Sequence, residues 1–246
     1  MFNILTLNKI SKVGLDKLDP AKYTCSDSVE APDAILVRSA SMHEMTLSPA
    51  TLAIGRAGAG VNNIPVADFG AQGVAVFNTP GANANAVKEL VLCSLFLASR
   101  KVASAVDWCK TLKGEGDAVG KLVEKGKSAF AGPEILGKTL GVIGLGAIGT
   151  LVAEGAKALG MDIVGYNPKL SEERIADLTS KGVKLMSSLD ELYAASDYIT
   201  LHLPLNDSTR GMINGEAIAK MKDGVRILNF ARGELVDSDA LIAALG

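Results

Sequence analysis

Three closely spaced glycines constrain this chain more than any other feature. They stand in the run KTLGVIGLGAIGTLVAEGAKALGMDIVGYN, residues 138–167, with the spacing GxGxxG. A strand pattern from Leu140 to Ile143 precedes them, and a helix pattern from about Ile148 follows. The helix pattern ends before Gly160, and a second strand pattern covers Asp162 to Tyr166. This order predicts a strand, a tight turn, a helix and a parallel strand in one βαβ unit.

Each glycine of this turn has a property that a nucleotide ligand would require. Gly144 permits the tight turn, Gly146 lets the backbone approach a pyrophosphate, and Gly149 allows close packing of the helix. The start of the helix, at Ala147 and Ile148, offers backbone N–H groups and the positive end of the helix dipole. The pattern predicts dinucleotide binding, and a tight turn without a ligand is the alternative.

Short β-branched runs alternate with helical patterns along the rest of the chain. FNILTL, AILV, TLAIG and VAVFN precede the glycine turn, and DYITLHLPL and VRILNFA follow it. Such alternation is typical of parallel sheets covered by helices. With 246 residues, 48% apolar content and 26 glycines, we expect an α/β protein of two doubly wound, Rossmann-like or flavodoxin-like domains.

Three segments between these strands carry further predictions. The apolar run from Asn85 to Arg100 predicts a helix that is buried on most sides and joins two domains or subunits. The segment from Trp108 to Gly132 is more polar and interrupted by glycines, which favours an arm or a plain surface loop. Ser188 followed by Glu191 predicts a capping box at the start of a short helix.

Composition excludes several classes of protein. The net charge of −2, without a run of basic and aromatic residues, predicts no nucleic-acid partner. The longest apolar region is broken by glycines and charges, so no membrane partner is expected. Three cysteines without a CxxC pair favour a reducing compartment, and no metal site is predicted. Because the N-terminal MFNILTLNKI lacks the features of a secretion signal, we expect a cytoplasmic protein.

The end of the second strand bears on the choice between NAD and NADP. Asn167 stands where an acidic residue normally binds the ribose hydroxyls of NAD. Asparagine can still bond a 2′-hydroxyl but does not repel a 2′-phosphate, and Lys169 is two residues away. We therefore expect NAD as the cofactor, with relaxed discrimination against NADP. Alternatively, Asn167 only starts the turn before Pro168.

Six ordered motifs carry a family resemblance across essentially the whole chain. They are LVRSA, GRAGAGVNNIP, FNTPGANANAVKEL, GKTLGVIGLGAIG, YITLHLPL with STRGMIN, and ILNFARGELVD. Together they resemble the D-2-hydroxyacid dehydrogenases, and among them the branch that oxidises D-3-phosphoglycerate. The resemblance implies a substrate domain over residues 1–88 and a dinucleotide domain over residues 89–246. It also implies a homodimer, with contacts through residues 85–132.

The resemblance assigns the main catalytic role to Arg232. In the N-x-ARG motif this arginine binds the substrate carboxylate and polarises the keto oxygen. A planar bidentate cation at the carboxyl end of a strand suits both tasks, and a structural ion pair with Glu234 or Asp237 is the alternative. The resemblance also implies a set of cofactor contacts after the later strands. They are His202, Leu203, Pro204, Thr209, Asn229, Phe230 and Ala231.

Recognition of a substrate phosphate is expected from the first domain. The resemblance implies Arg38, with Ser39 beside it, and Arg56 as phosphate ligands; either arginine could instead be a solvated surface residue. The substrate carboxylate would meet accessible backbone N–H groups of a glycine-rich loop. That loop contains Ala57, Gly58, Ala59 and Gly60.

Neither histidine fits the acid/base that hydride transfer needs. His202 lies in a motif beside the cofactor, and His43 is expected to be an exposed residue at a helix start. The resemblance places the catalytic glutamate and histidine beyond Gly246, which predicts a truncated, weakly active or inactive form. Apolar surface is then expected near DALIAALG, residues 239–246.

Three alternatives remain open on sequence alone. The first is a glyoxylate, hydroxypyruvate or D-lactate type dehydrogenase of the same family, which differs in whether Arg38 serves a phosphate. The second is a non-catalytic, NAD(H)-binding corepressor of the same fold. The third is an isolated domain that binds nucleotide only.

Overall fold

The computed structural model describes all of residues 1–246. The chain forms two compact units, Met1–Asn83 and Ala84–Gly246. Each unit contains one five-stranded sheet whose paired strands are all parallel. The prediction of two doubly wound parallel-sheet domains is therefore confirmed. The boundary expected after residue 88 falls inside a helix that belongs wholly to the second unit.

The first unit has the flavodoxin-like strand order β2-β1-β3-β4-β5. Its strands are β1 Phe2–Leu7, β2 Tyr23–Ser26, β3 Ala34–Val37, β4 Ala53–Arg56 and β5 Ala75–Phe77. Two short helices accompany them, α1 Lys12–Leu15 and α2 Val66–Ala71. Ile35, Val37 and Ile54 are completely buried in its core. Sheet order reverses between β1 and β3, and ligands of such folds bind at the carboxyl ends of the strands beside that point.

The second unit begins with helix α3, Ala84–Ser99. One face of α3 is buried through Val91, Leu95 and Ser99. Leu90 and Leu97 are 52% and 48% exposed, so the chain itself buries only one face, and burial of the other faces stays a prediction. Only one face of the helix meets the layer of the sheet and its helices. The apolar residues on the other faces remain at the surface.

The segment after α3 is helical and lies outside the core. It contains α4 Val102–Thr111 and α5 Val119–Gly126, with 3-10 turns at Gly116–Ala118 and Lys127–Phe130. None of these elements has a buried residue. The rings of Trp108 and Phe130 pack at 5.1 Å between centroids and join the ends of the segment. The arm is therefore folded, and the alternative of a plain surface loop is wrong.

The second sheet has the order β10-β9-β6-β7-β8, the mononucleotide-binding arrangement. Its strands are β6 Thr139–Ile143, β7 Asp162–Tyr166, β8 Val183–Leu185, β9 Tyr198–Leu201 and β10 Arg226–Asn229. All four residues of β9 are buried, as expected for a strand covered on both faces. The accompanying helices are α6 Ala147–Ala158, α7 Glu172–Ser180, α8 Leu189–Ala195, α9 Gly215–Ile218 and α10 Ser238–Leu245.

Helix α8 tests the predicted capping box. Ser188 Oγ accepts a hydrogen bond from the Glu191 backbone N–H at 3.2 Å, as predicted. The Glu191 carboxylate instead accepts from the backbone N–H of Ser187, one residue before the cap. At the chain end, Ile242 and Leu245 of α10 are 67% and 79% exposed, which matches the apolar surface expected there. No helix combines the length and apolar character that a membrane-spanning segment needs.

Candidate active site

The glycine turn connects β6 to α6 in the second unit, as the sequence predicts. Gly144 has φ of +94°, and a Cβ on it would lie 2.6 Å from the carbonyl oxygen of His202. A Cβ on Gly149 would collide with the Gly144 carbonyl oxygen. By contrast, a Cβ on Gly146 would meet nothing within 4 Å, so open space adjoins the start of α6. The turn is therefore closed on its sheet side and open where a pyrophosphate would approach Gly146, Ala147 and the first turn of α6.

Asn167 closes the turn from the end of β7. Its Oδ1 accepts a hydrogen bond from the Leu145 backbone N–H at 3.2 Å. Its Nδ2 donates to the Lys169 carbonyl oxygen at 2.8 Å, across Pro168. Asn167 therefore does start the turn before Pro168, and it also links that turn to the glycine motif. A direct bond to a ribose hydroxyl remains a prediction.

The end of β9 lies beside the glycine turn. The His202 backbone N–H donates to the Ile143 carbonyl oxygen at 2.8 Å, and the His202 ring Nε2 lies 3.0 Å from Thr200 Oγ1. Burial lowers the pKa of His202 to about 4, so its imidazole is neutral at pH 7. Leu203 and Pro204 follow, and Thr209 Oγ1 donates to the Pro204 carbonyl oxygen at 2.8 Å. This loop is thus held by its own side chains.

The backbone around Arg232 is fixed by Asn229, the last residue of β10. Asn229 Nδ2 donates to the Arg232 carbonyl oxygen at 2.7 Å, and its Oδ1 accepts from the Ala231 N–H at 3.1 Å. Arg232 Nη1 donates to the Ala231 carbonyl oxygen at 2.9 Å. Phe230 packs against the core of the sheet. The guanidinium group is therefore carried on an ordered loop at the carboxyl end of β10, where ligands of α/β sheets bind.

In the first unit, the loop after β3 carries Arg38 and Ser39. Asn8, which follows β1, accepts at Oδ1 from the backbone N–H groups of Ser39 at 2.9 Å and Ala40 at 2.5 Å. Asn63 Nδ2 donates to the Ala40 carbonyl oxygen at 2.7 Å from the other side. Arg38 itself is exposed. A fixed loop therefore presents an exposed cation at the switch point of the first sheet.

The glycine-rich loop after β4 offers fewer amides than the sequence suggests. The N–H groups of Ala57 and Gly58 donate to carbonyl oxygens of β3 and β4, at 2.8 Å and 2.9 Å. They are not available to a substrate carboxylate in this arrangement. The N–H groups of Ala59 and Gly60 make no such bond. The guanidinium group of Arg56 lies against Gly58, and Arg56 is partly buried.

Two further positions were misjudged or overlooked at the level of sequence. His43 is exposed as expected, but it lies in a turn where no helix starts, and its Nε2 is 2.9 Å from the Asn62 carbonyl oxygen. Asn8 was overlooked, although it is the one residue other than glycine with positive φ, at +65°. Asparagine tolerates this conformation better than most residues, so an Asn at a strand end was the available signal.

Residues 92–246, most of the second unit, match the family model described as "D-isomer specific 2-hydroxyacid dehydrogenase, NAD binding domain". The chain belongs to the D-isomer-specific 2-hydroxyacid dehydrogenase family. NAD is thereby the cofactor of the second unit, and the open glycine turn fits it. The prediction of family and cofactor from the ordered motifs is confirmed.

Individual relatives of this chain carry different names. It is 41% identical over 221 residues to a D-3-phosphoglycerate dehydrogenase of Mycobacterium bovis, covering 89% of this chain and 39% of the relative. It is 43% identical over 212 residues to a hydroxypyruvate reductase of Thermotoga maritima, covering 85% and 63%. The NAD-bound 3-phosphoglycerate dehydrogenase of Entamoeba histolytica superposes with a TM-score of 0.75 at 26% identity, covering 99% and 76%. The chain thus spans well under half the length of the Mycobacterium relative.

Proposed function

We propose that this family member oxidises D-3-phosphoglycerate to 3-phosphohydroxypyruvate with NAD, the first step of L-serine biosynthesis. The observation that carries the proposal is Arg38, an exposed cation on a loop fixed by Asn8 at the switch point of the first sheet. An arginine fork matches the oxygens of a phosphate group. The name of the Mycobacterium relative supports the same substrate. Arg56 and the N–H groups of Ala59 and Gly60 are the further proposed contacts.

In this proposal Arg232 is the residue that acts on the reacting carbon. Its guanidinium group binds the substrate carboxylate and stabilises negative charge on the C2 oxygen. Bound NAD supplies the hydride acceptor. The hydrogen bonds from Asn229 hold the backbone on either side of Arg232, so the cation is positioned before substrate arrives.

The proton at the C2 hydroxyl is assigned to neither histidine of the chain. His202 is neutral at pH 7 because burial lowers its pKa to about 4, and its ring is hydrogen-bonded to Thr200. A neutral imidazole with such a low pKa is a poor acid and a weak base at this pH. His43 is exposed and belongs to the first unit. The acid/base is thus proposed to be a residue other than His43 and His202.

The substrate proposal is tested by ligand binding with a charge-removing variant. Calorimetric titration of the NADH-loaded chain compares D-3-phosphoglycerate with D-glycerate, a pair that cannot react with NADH. We expect Arg38→Ala to weaken D-3-phosphoglycerate at least tenfold and D-glycerate less than twofold, because a charge-assisted phosphate contact is lost. Lys22→Ala is the matched control, since Lys22 is an exposed cation just before β2, at the amino end of the parallel strands and not at the carboxyl end that carries Arg38. Equal losses for both ligands would refute the assignment.

Arg232 is tested by a substitution that keeps the charge. Arg232→Lys should weaken D-glycerate and D-3-phosphoglycerate alike, by about tenfold, because lysine cannot bind a carboxylate with two parallel hydrogen bonds. NADH affinity, followed by fluorescence, should stay within twofold. If instead NADH affinity falls and the affinities for both hydroxy acids are unchanged, Arg232 stabilises the loop. That result would favour the alternative of an ion pair with Glu234 or Asp237.

A hydroxypyruvate reductase is the second candidate, favoured by the Thermotoga relative at 43% identity. Both candidates use the same hydride chemistry and differ in the substrate phosphate. If the unsubstituted chain binds D-glycerate as tightly as D-3-phosphoglycerate, this second function replaces the first.

We also propose that the protein forms a homodimer through α3 and α4. These helices expose several large apolar side chains, which in water favours a partner. These side chains are Leu90, Phe96, Leu97, Val102 and Val106. Sedimentation velocity should give a dimer, and Phe96→Glu should shift it to monomer.

The three free cysteines support a reducing, cytoplasmic location.

A further inference from the structure

In the glycine turn, the local sequence does little to fix the orientation of the peptide plane between Leu145 and Gly146. Glycines stand on both sides of Leu145, and glycine permits rotations of neighbouring peptide planes that other residues resist. In a trans peptide the C=O and the next N–H point in opposite directions. The direction of the Leu145 carbonyl therefore sets the direction of the Gly146 N–H.

Side chains from outside the turn hold this peptide unit. The Leu145 carbonyl oxygen accepts from Arg174 Nη2 at 3.2 Å. The Thr150 hydroxyl lies 3.3 Å from the same oxygen and donates its proton to the nearer Gly146 carbonyl oxygen, at 2.8 Å. Arg174 Nη2 also donates to Thr150 Oγ1. The Gly146 N–H donates to no protein acceptor, and the space beside Gly146 is open. With the carbonyl held by Arg174, the N–H of the same peptide unit is directed to the opposite side and is left without a protein acceptor.

Arg174 is itself held in place by helix α7. Its Nη1 is paired with Asp177, three residues further along the helix. Lys181 bonds the same Asp177 at 3.1 Å and Glu154 of α6 at 2.9 Å. The Ser171 hydroxyl caps α7 by accepting from the Arg174 backbone N–H at 3.2 Å. The guanidinium group is thus oriented before any ligand binds.

We propose that Arg174 is a positioning residue for coenzyme binding, acting through the Leu145 carbonyl to aim the Gly146 N–H at the coenzyme pyrophosphate. A backbone N–H binds a phosphate well only while its peptide plane is held in the right orientation. If the plane is free to rotate, the hydrogen bond is weakened because the N–H must be ordered on binding. Lysine could place a charge near the same point but cannot bond Asp177, Thr150 and the Leu145 carbonyl together. This role is independent of which hydroxy acid is the substrate.

The test compares coenzyme binding by Arg174 variants of the 246-residue chain. NADH affinity is measured by fluorescence, and adenosine, which has no phosphate, is measured as a competitor. Arg174→Ala and Arg174→Lys should each weaken NADH at least tenfold and adenosine less than twofold. The matched control is Lys184→Ala, which removes an exposed cation from β8, the strand that follows α7, without touching Asp177 or Leu145. It should leave NADH affinity within twofold.

Several outcomes would overturn the proposal. Wild-type NADH affinity in Arg174→Lys would mean that charge alone matters. Equal losses for NADH and adenosine, or an equal loss in Lys184→Ala, would mean that Arg174 acts only through stability or overall charge. A loss confined to NADPH would mean direct contact with a 2′-phosphate. If Arg174→Ala fails to fold by circular dichroism, Arg174→Lys and Arg174→Gln carry the same comparison.

Discussion

Two glycine-rich loops of similar composition follow strands in the two units, and they are built differently. GLGAIG, residues 144–149, leads directly into the twelve-residue helix α6. GRAGAG, residues 55–60, leads into a turn, and the six-residue α2 starts only at Val66. The Ala57 and Gly58 amides are already bonded to backbone carbonyls, whereas the Gly146 amide makes no bond to protein. Glycine content alone thus does not identify an anion-binding loop. The two loops differ in whether a helix, with its free N–H groups, begins directly after the glycines.

The largest expected effect concerns why each loop needs glycine. Gly149→Ala places a Cβ against the Gly144 carbonyl, a backbone atom that cannot move away. We expect a loss of about 3 kcal/mol in unfolding free energy and of NADH binding. Gly58→Ala meets the flexible end of Arg56 at φ of +155°, which should cost roughly 1–2 kcal/mol.

Urea unfolding measures both substitutions. Gly120→Ala is the control, since Gly120 lies in α5 with open space around it and alanine should stabilise by about 0.5–1 kcal/mol. Similar losses for Gly149→Ala and Gly58→Ala would erase the distinction between the loops.

The two units each contain one histidine, His43 in the first and His202 in the second, and their substitution compares how acid affects the stability of the protein. His202 has a folded pKa of about 4, below the ordinary 6.5, so the unfolded chain binds a proton that the folded chain does not. Stability should therefore fall as the pH falls from about 6.5 towards 4, by about 2 kcal/mol at pH 5. In urea unfolding at pH 7.5 and 5, His202→Asn should remove this part of the acid sensitivity. His43→Asn, an exchange at an exposed site, is the matched control.

Asn8 gives a smaller effect in the loop after β3. Asn8→Ala removes two hydrogen bonds and forces alanine into φ of +65°, for a loss of about 1.5 kcal/mol. Asn8→Gly removes the same bonds but tolerates the backbone, so it should destabilise less. Urea unfolding gives the order. Glycine as harmful as alanine would show that the backbone conformation contributes nothing.

The smallest expected effect concerns coenzyme choice at the end of β7. Asn167→Asp keeps an acceptor for the Leu145 N–H and adds a charge that repels a 2′-phosphate. The ratio of NADPH to NADH dissociation constants should rise about fivefold, or about 1 kcal/mol. Fluorescence titration with both coenzymes gives the ratio. An unchanged ratio would assign Asn167 to the turn alone.

The sequence was informative where structure follows from neighbouring residues. The strands around the glycine turn, the start of α6 and the Ser188 cap depend on patterns within a few positions, and they were predicted. The family motifs added NAD and the order of the site residues. The apolar pattern of α3 did not show that the chain itself covers only one face of this helix, because such a pattern reports the helix surface and not what covers it.

Contacts between distant residues could not be predicted. Asn8 bonds residues 31 and 32 positions away, and Arg174 reaches Leu145 across 29 positions. Asn8 and Arg174 are both polar residues, and no spacing of nearby residues in the sequence indicates which distant group each of them bonds. The use of the Ala57 amide likewise depends on the pairing of β3 with β4.

The most direct test of the central proposal is the substrate preference of the unsubstituted chain. Calorimetric titration of the NADH-loaded protein with D-3-phosphoglycerate and with D-glycerate gives two dissociation constants under identical conditions. The account predicts that the phosphorylated acid binds at least tenfold tighter, because Arg38 contributes a charge-assisted contact. Equal dissociation constants would contradict it and leave an NAD-dependent dehydrogenase for an unphosphorylated hydroxy acid.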